Sequence, residues 1–347
     1  MIQTLQSLRF VFIMLIVFSH IIGKRFDFGG ECGVSFFFML SGFVLSLAYG
    51  QKVEARQFSV RSFLFRQLSK FYPLHLLMLV AFVCFDARLG VFYDWQHLLP
   101  NILLLQSWIP YDEYYFLANG SSWFLSDIIF FYLVFCWAYQ LLNRMRTSHL
   151  LLSGFVVLVL YSFLAFSIPI WMVNSILYAS PATRLIDFCI GILLCRLFYS
   201  DAGSRLGHWM KNKDYSTRTL WEFLLVVIFV VSFFIYESMS LKLRCAALFW
   251  LFLPPFLLFF SVSDKQGGWL TRLLHHPVLF WFGSISLEIY LVHMFVFRIV
   301  YGVMRSVGLD NTLLLIITGL IMVFPVAWLT KRFFVDKVYF FLDKFVQ

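Results

Sequence analysis

Hydrophobic runs about twenty residues long, separated by short clusters of charge, glycine or proline, dominate the 347-residue chain. A helix rises about 1.5 Å per residue, so such a run matches the hydrocarbon thickness of a bilayer. Ten runs can be read, at 5–22, 33–50, 68–86, 122–142, 149–170, 182–199, 219–236, 243–262, 283–303 and 311–330. An amphipathic stretch at 97–108 is too short to cross and predicts an interfacial or re-entrant segment. The pattern therefore predicts an all-α, polytopic transmembrane helical bundle of about ten spans. No linker, low-complexity stretch or clear internal repeat divides it, so one integral domain over 1–347 is expected. The first run lacks a basic leading region and a small-residue cleavage site, and it carries Arg9 and His20, so it reads as a retained span rather than a signal peptide.

Composition narrows the class further. Lys plus Arg number 27 and Asp plus Glu 18, and 45 phenylalanines equal all of these charges together. Charged residues are 13% of the chain, against about 25% in an ordinary globular domain, too few to cover a water-soluble surface. A membrane β-barrel is excluded because its segments would be short and alternating. Six cysteines stand singly, without CxxC pairs, and read as small packing residues. His75, His275 and His276 have no carboxylate or thiol at ligand spacing, so no metal is expected.

Charge also orients the chain, because Lys and Arg are retained on the cytoplasmic side. With a cytoplasmic N-terminus, of the 27 basic residues only Lys24, Arg25, Arg88, Arg184, Lys242, Arg244, Arg298 and Arg305 fall outside. Eighteen fall inside and Arg9 is left within the first span. Both termini are thus expected to be cytoplasmic. The net charge of +9 is mostly topology reinforced by anionic lipid, and calls for no nucleic acid partner.

Ionisable groups at membrane depth are costly and mark candidate sites. Arg9 and His20 are eleven residues apart, three helical turns plus about 20°, so they share a face with about 16–17 Å between them along the axis. That arrangement suits an elongated substrate with an anionic head at the guanidinium and a reactive tail at the imidazole. A snorkelling arginine and a packed histidine would give the same pattern.

The sequence around this pair resembles the acyltransferase-three family of bacterial membrane O-acyltransferases. The resemblance rests on Ser7, Leu8 and Arg9 through His20, then residues 33–43 (GVSFFFMLSGF), and Arg66 and Lys70 ahead of Phe71, Tyr72, Pro73 and Leu74. It continues through 122–126 (SWFLS), 184–191 (RLIDFCIG) and 283–293 (GSISLEIYLVH), covering nearly the whole chain in order. It implies a ten-helix core in a bacterial inner membrane and acyl-coenzyme A, usually acetyl-CoA, as the donor, approached from the cytoplasm. It further implies an acceptor hydroxyl on a cell-surface saccharide or lipid-linked glycan. His20 would be the catalytic base and Arg9 its partner. Two positions depart from the family pattern, Ser35 where many relatives have Asp, and Ile128 where many have Glu, with Asp127 one residue earlier.

From these residues we expect Asp127 or Asp187, near the outer end of the bundle, to orient His20. Arg184 and Asp187 are three apart and equally placed to pair with each other. Trp123 is a candidate wall for an acceptor sugar, or an interfacial anchor. Arg66, Lys70 and Tyr72, with Arg9, are candidates to hold the coenzyme's phosphates, although the positive-inside rule alone also places basic residues there. Tyr290 and His293 share a face of the ninth span, where His293 is a second polar wall or a satisfied core histidine, and Glu288 is a further costly charge. The competing reading is a transporter or lipid-linked-sugar flippase, in which the same charges line a conduit.

Overall fold

The computed structural model describes residues 2–22, 29–309 and 311–344, so Lys24 and Arg25 of the charge count lie outside the described residues. The chain is 83% helical, and no strand occurs among the described residues. The first half runs α1 (Gln3–Ile22), α2 (Gly30–Glu54), α3 (Val60–Arg88), the short α4 (Trp95–Ile102) and α5 (Asp112–Tyr115), α6 (Trp123–Arg144), α7 (Thr147–Ser167) and α8 (Pro181–Phe198). It continues with α9 (Asp201–Lys211), α10 (Tyr215–Ser238), α11 (Leu241–Arg244), α12 (Phe249–Val262), α13 (Trp269–Leu274), α14 (Pro277–Ser284), α15 (Ser286–Ser306), α16 (Thr312–Thr330) and α17 (Asp336–Asp343).

Among the described residues nine helical segments are long and apolar enough to cross a membrane. The remaining predicted span is α8, 18 residues that hold three charges, Arg184, Asp187 and Arg196. Arg184 and Asp187 pair with each other and Arg196 donates to the Leu142 and Met145 carbonyls, which makes those charges compatible with a packed helix. Each predicted run thus corresponds to a helix, with shifted ends. Residues 331–335 continue α16 as a π turn into α17, and α3 starts at Val60, eight residues before the predicted run, so Arg66 and Lys70 lie in its second and third turns rather than at its start.

The chain packs as two compact units. One comprises Met1–Phe12, Glu31–Phe58 and Phe131–Ser284; the other comprises Ile13–Gly30, Ser59–Phe130 and Ile285–Gln347. In the first, α2 and α8 meet backbone to backbone at two glycines. A β-carbon at Gly42 would land on the Phe188 carbonyl oxygen, and one at Gly191 on the Met39 carbonyl oxygen. Small residues at such crossings let dispersion act over the whole contact, which matters where lipid removes the hydrophobic drive between helices. Gly191→Ala is therefore expected to lower stability by about 1–3 kcal/mol through overpacking. A reduced unfolding midpoint of the detergent-solubilised protein would show it; an unchanged midpoint would contradict the packing. Aromatic rings fill the rest of this core, with Phe131 stacked on Phe188 at 5.1 Å and Phe12 on Phe36 at 3.7 Å.

In the second unit α15 and α16 form a hairpin against α3. The stretch predicted as interfacial or re-entrant turns back along α3. His75 Nε2 lies 2.8 Å from the Asn101 carbonyl, and the Tyr72 hydroxyl donates to the Ile102 carbonyl at 3.0 Å. Both lie more than a dozen residues before the end of α3, roughly 20 Å of helix, so the segment descends to mid-span. Its tip then braces the start of α6, where Gln106 Nε2 donates to the Ser122 carbonyl at 3.2 Å and Ser107 Oγ to the Trp123 carbonyl at 2.9 Å. Irregular backbone at membrane depth is tolerated where protein satisfies it, as here.

Candidate functional site

The second unit brings two of the expected residues together. His20, in the last turns of α1, and His293, on α15, have ring centroids 5.1 Å apart, with His293 Nε2 at 3.1 Å from His20 Nδ1. The hydrogen positions follow from the carbonyls. His293 Nδ1 lies 2.6 Å from the Tyr290 carbonyl and 3.2 Å from that of Ile289, and a carbonyl oxygen only accepts, so Nδ1 carries the proton. In neutral His293, Nε2 is then an acceptor. The hydrogen bond to His20 consequently has His20 Nδ1 as donor, which leaves His20 Nε2 with a free lone pair. His293 is fully buried, whereas His20 is exposed.

The expectation was a carboxylate, Asp127 or Asp187, beside the base; the group found on His20 Nδ1 is a second imidazole. Asp127 is fully buried in α6. Its placement near the outer end of the bundle also needs revision, because the start of α6 is drawn inward. Asn119 Nδ2 donates to the Leu291 carbonyl at 3.0 Å, and the Tyr290 hydroxyl donates to the Ser121 carbonyl at 2.6 Å. The end of α1 and the start of α6 thus both lie level with residues 290–293 of α15, which runs on for about 20 Å to Ser306. Trp123, 2% exposed, is packed inside the protein.

A cavity of about 340 Å³ rises from this level. His20 and Ile21 lie at one end, and Met294, Phe297, Arg298, Tyr301, Thr312, Leu315 and Ile316 of the hairpin form its walls. Arg298 is held there by Asp86, with Nη2 to Oδ1 at 2.8 Å and Nη1 to Oδ2 at 3.1 Å. The Tyr93 hydroxyl donates to the same carboxylate. Burial and the neighbouring Asp86 push the Tyr93 phenol up to about 12, so it remains a donor at neutral pH. Sequence reasoning missed Arg298 and Asp86. Arg298 was assigned to an outer segment although it falls within the predicted span 283–303, and a charge inside an apolar run was the available signal.

Other expected site residues meet structural partners. In the first unit Arg184 and Asp187 pair at 3.1 Å, both fully buried. Arg184 also donates to Ser35 Oγ and to the Cys245 carbonyl, each at 3.0 Å, and Asp187 accepts from Trp250 Nε1 at 2.6 Å. The family departure at Ser35 thus falls on the Arg184 guanidinium. Arg9 faces the Phe37 ring, 6.0 Å from its centroid. In the second unit Tyr72 is bonded to the re-entrant segment, Arg66 lies 3.9 Å from Asp343, and Lys70 is exposed. Glu288 receives Lys331 at 3.2 Å, which ties the start of α15 to the end of α16.

The family model described as an acyltransferase domain matches residues 2–332. The chain belongs to this acyltransferase family. A relative, the acyltransferase MdmB of Streptomyces mycarofaciens, is 29% identical over 290 residues, spanning 79% of this chain and 69% of MdmB. No solved structure gives a significant match. Together with the apolar helices, this makes the protein a multi-pass membrane acyltransferase.

Proposed function

We propose that this acyltransferase transfers an acyl group, acetyl in the simplest case, from cytoplasmic acyl-coenzyme A to a hydroxyl of an extracytoplasmic or lipid-linked saccharide in a bacterial inner membrane, with His20 as general base. The observation that carries the reading is the tautomer set by the Tyr290 carbonyl, which leaves Nε2 unprotonated on a histidine that lines a cavity. His20 Nε2 takes the acceptor proton as the oxygen attacks the thioester carbonyl. The carbon–sulfur bond then breaks, and the imidazolium returns its proton to the departing thiolate, so an ester and free coenzyme A result. During the step His293 Nε2 accepts from the cationic ring and stabilises it. Arg9, Arg66 and Lys70 are assigned to the phosphates of the donor, on the family resemblance and the expected orientation.

The reading is tested by incubating the purified protein with acetyl-CoA and candidate saccharides, measuring thiol release and product mass. Acceptor-dependent release supports it, and its absence with every acyl-CoA and acceptor would defeat it. His293 acts through His20 and is a positioning residue. His293→Phe removes the acceptor for His20 Nδ1 and is expected to lower kcat on the order of tenfold to a hundredfold with KM for the donor unchanged. His293→Gln, which keeps an acceptor oxygen, should recover part of that loss and its pH profile. Equal rates for the two variants would remove His293 from the mechanism.

A further inference from the structure

The cavity beside His20 carries a feature that base catalysis does not use. Its walls contain Arg298 and, among the described residues, no acidic side chain. Arg298 lies five residues beyond His293 on α15, about 7.5 Å along the axis, and its side chain is 40% exposed while Asp86 behind it is fully buried. The guanidinium is held in a fixed plane. Asp86 accepts a hydrogen bond from Nη1 and forms an ion pair with Nη2, and the rings of Phe82 and Phe85 flank the group with centroids 5.8 Å and 5.6 Å from its central carbon. Guanidinium has five N–H donors, so this grip leaves others for a ligand. Tyr301, also in the wall, accepts from Arg305 Nη2 at 2.7 Å, and Arg305 lies two helical turns, about 10 Å, beyond Arg298 on α15. On the orientation expected from the charge count, both lie in the half of the span where the positive-inside rule disfavours them. An arginine at membrane depth, preorganised by a buried acid and opening onto a cavity with no carboxylate among its described lining residues, is suited to recognising an oxyanion.

We infer that this cavity is the acceptor site and that Arg298 recognises an oxyanion, carboxylate or phosphate, that the acceptor carries near its reactive hydroxyl. The inference rests on the reading of His20 as the base. It deepens that reading by specifying an acidic acceptor, with the anion roughly one and a half helical turns from the hydroxyl. Asp86 and Tyr93 are positioning residues for Arg298.

The test uses the full chain in lipid nanodiscs, with the exposed Cys84 replaced by serine and Thr312→Cys as a reporter in the cavity wall. The rate of reaction with a charged maleimide is followed with glucuronate, methyl glucoside or inorganic phosphate present. Glucuronate or phosphate should slow labelling at concentrations where methyl glucoside does not. Protection by glucuronate alone identifies an acidic sugar, and protection by phosphate alone a phosphate-bearing acceptor. Arg298→Gln should abolish the protection. So should Arg298→Gln combined with Asp86→Asn, which leaves no unpaired buried charge and guards against a folding defect. In acyl transfer, Arg298→Gln should raise KM for an acidic acceptor by about tenfold or more, the size of a lost charge-assisted hydrogen bond, with kcat nearly unchanged. Equal protection by the neutral and acidic sugars, or protection that survives both Arg298 variants, would overturn the inference. Labelling needs no turnover, so it reports on this site even if transfer fails. Conversely, His20-dependent transfer with equal KM for neutral and acidic acceptors would remove the Arg298 assignment and leave the base intact.

Discussion

His20→Ala is expected to lower acyl transfer by roughly 10²–10⁴-fold, the range that a positioned general base contributes, while the protein stays folded. The ring is exposed and caps a cavity, so its removal opens no hole in a packed core. Removing the ring extends the cavity that His20 lines toward His293 Nε2, where water replaces the lost donor. The loss should fall on kcat, with donor KM near that of the unmodified protein, because the imidazole acts on the acceptor proton and not on the coenzyme's phosphates. Initial rates of thiol release against acetyl-CoA concentration, together with the unfolding midpoint of the same sample, check both parts. A variant that keeps more than about a tenth of the rate would place the base elsewhere, since the low end of the range is already a hundredfold.

Much of this arrangement was legible in the sequence because it is local. Apolar runs of bilayer length predicted each spanning helix, and the shared face of Arg9 and His20 needed only the helical repeat and the continuity of α1 over Gln3–Ile22. The amphipathic stretch at 97–108 was recognisable as too short to cross, although only His75 and Tyr72 show that it descends along α3. The partners were not legible. His20 and His293 are 273 positions apart, and Arg298 and Asp86 are 212 apart, so no periodicity connects them. The carboxylate expected at His20 came from the general preference of catalytic imidazoles for acids. What overrode it was the i−3 carbonyl of Tyr290, which makes His293 an acceptor and lets it do the same work. The start of α6 was misplaced for a similar reason. A loop that folds back into the membrane has the composition of one that stays at the surface, and only Asn119 and Ser121 bonding to α15 reveal its depth.

Arg184→Met should be the most destabilising single change in the first unit. The guanidinium is fully buried and joins α2 through Ser35, its own helix through Asp187 and the segment before α12 through the Cys245 carbonyl, with the Phe38 ring 5.1 Å away. Methionine fills much of the volume but leaves Asp187 as a buried carboxylate with Trp250 as its hydrogen-bond donor. Breaking a buried pair in this way costs about 3–5 kcal/mol, whereas replacing both partners by apolar groups is often neutral or better. Arg184→Met with Asp187→Leu should therefore recover most of the stability lost in the single variant, and unfolding midpoints of the wild type, both singles and the double would give the coupling. The same double variant separates the two roles open to this pair. If Arg184 and Asp187 hold the helices, the recovered protein transfers acyl groups with an acceptor KM near that of the wild type. A stable double variant with a strongly raised acceptor KM would instead make the pair part of the acceptor site, and no rescue at all would mean that the charges are required for the fold itself.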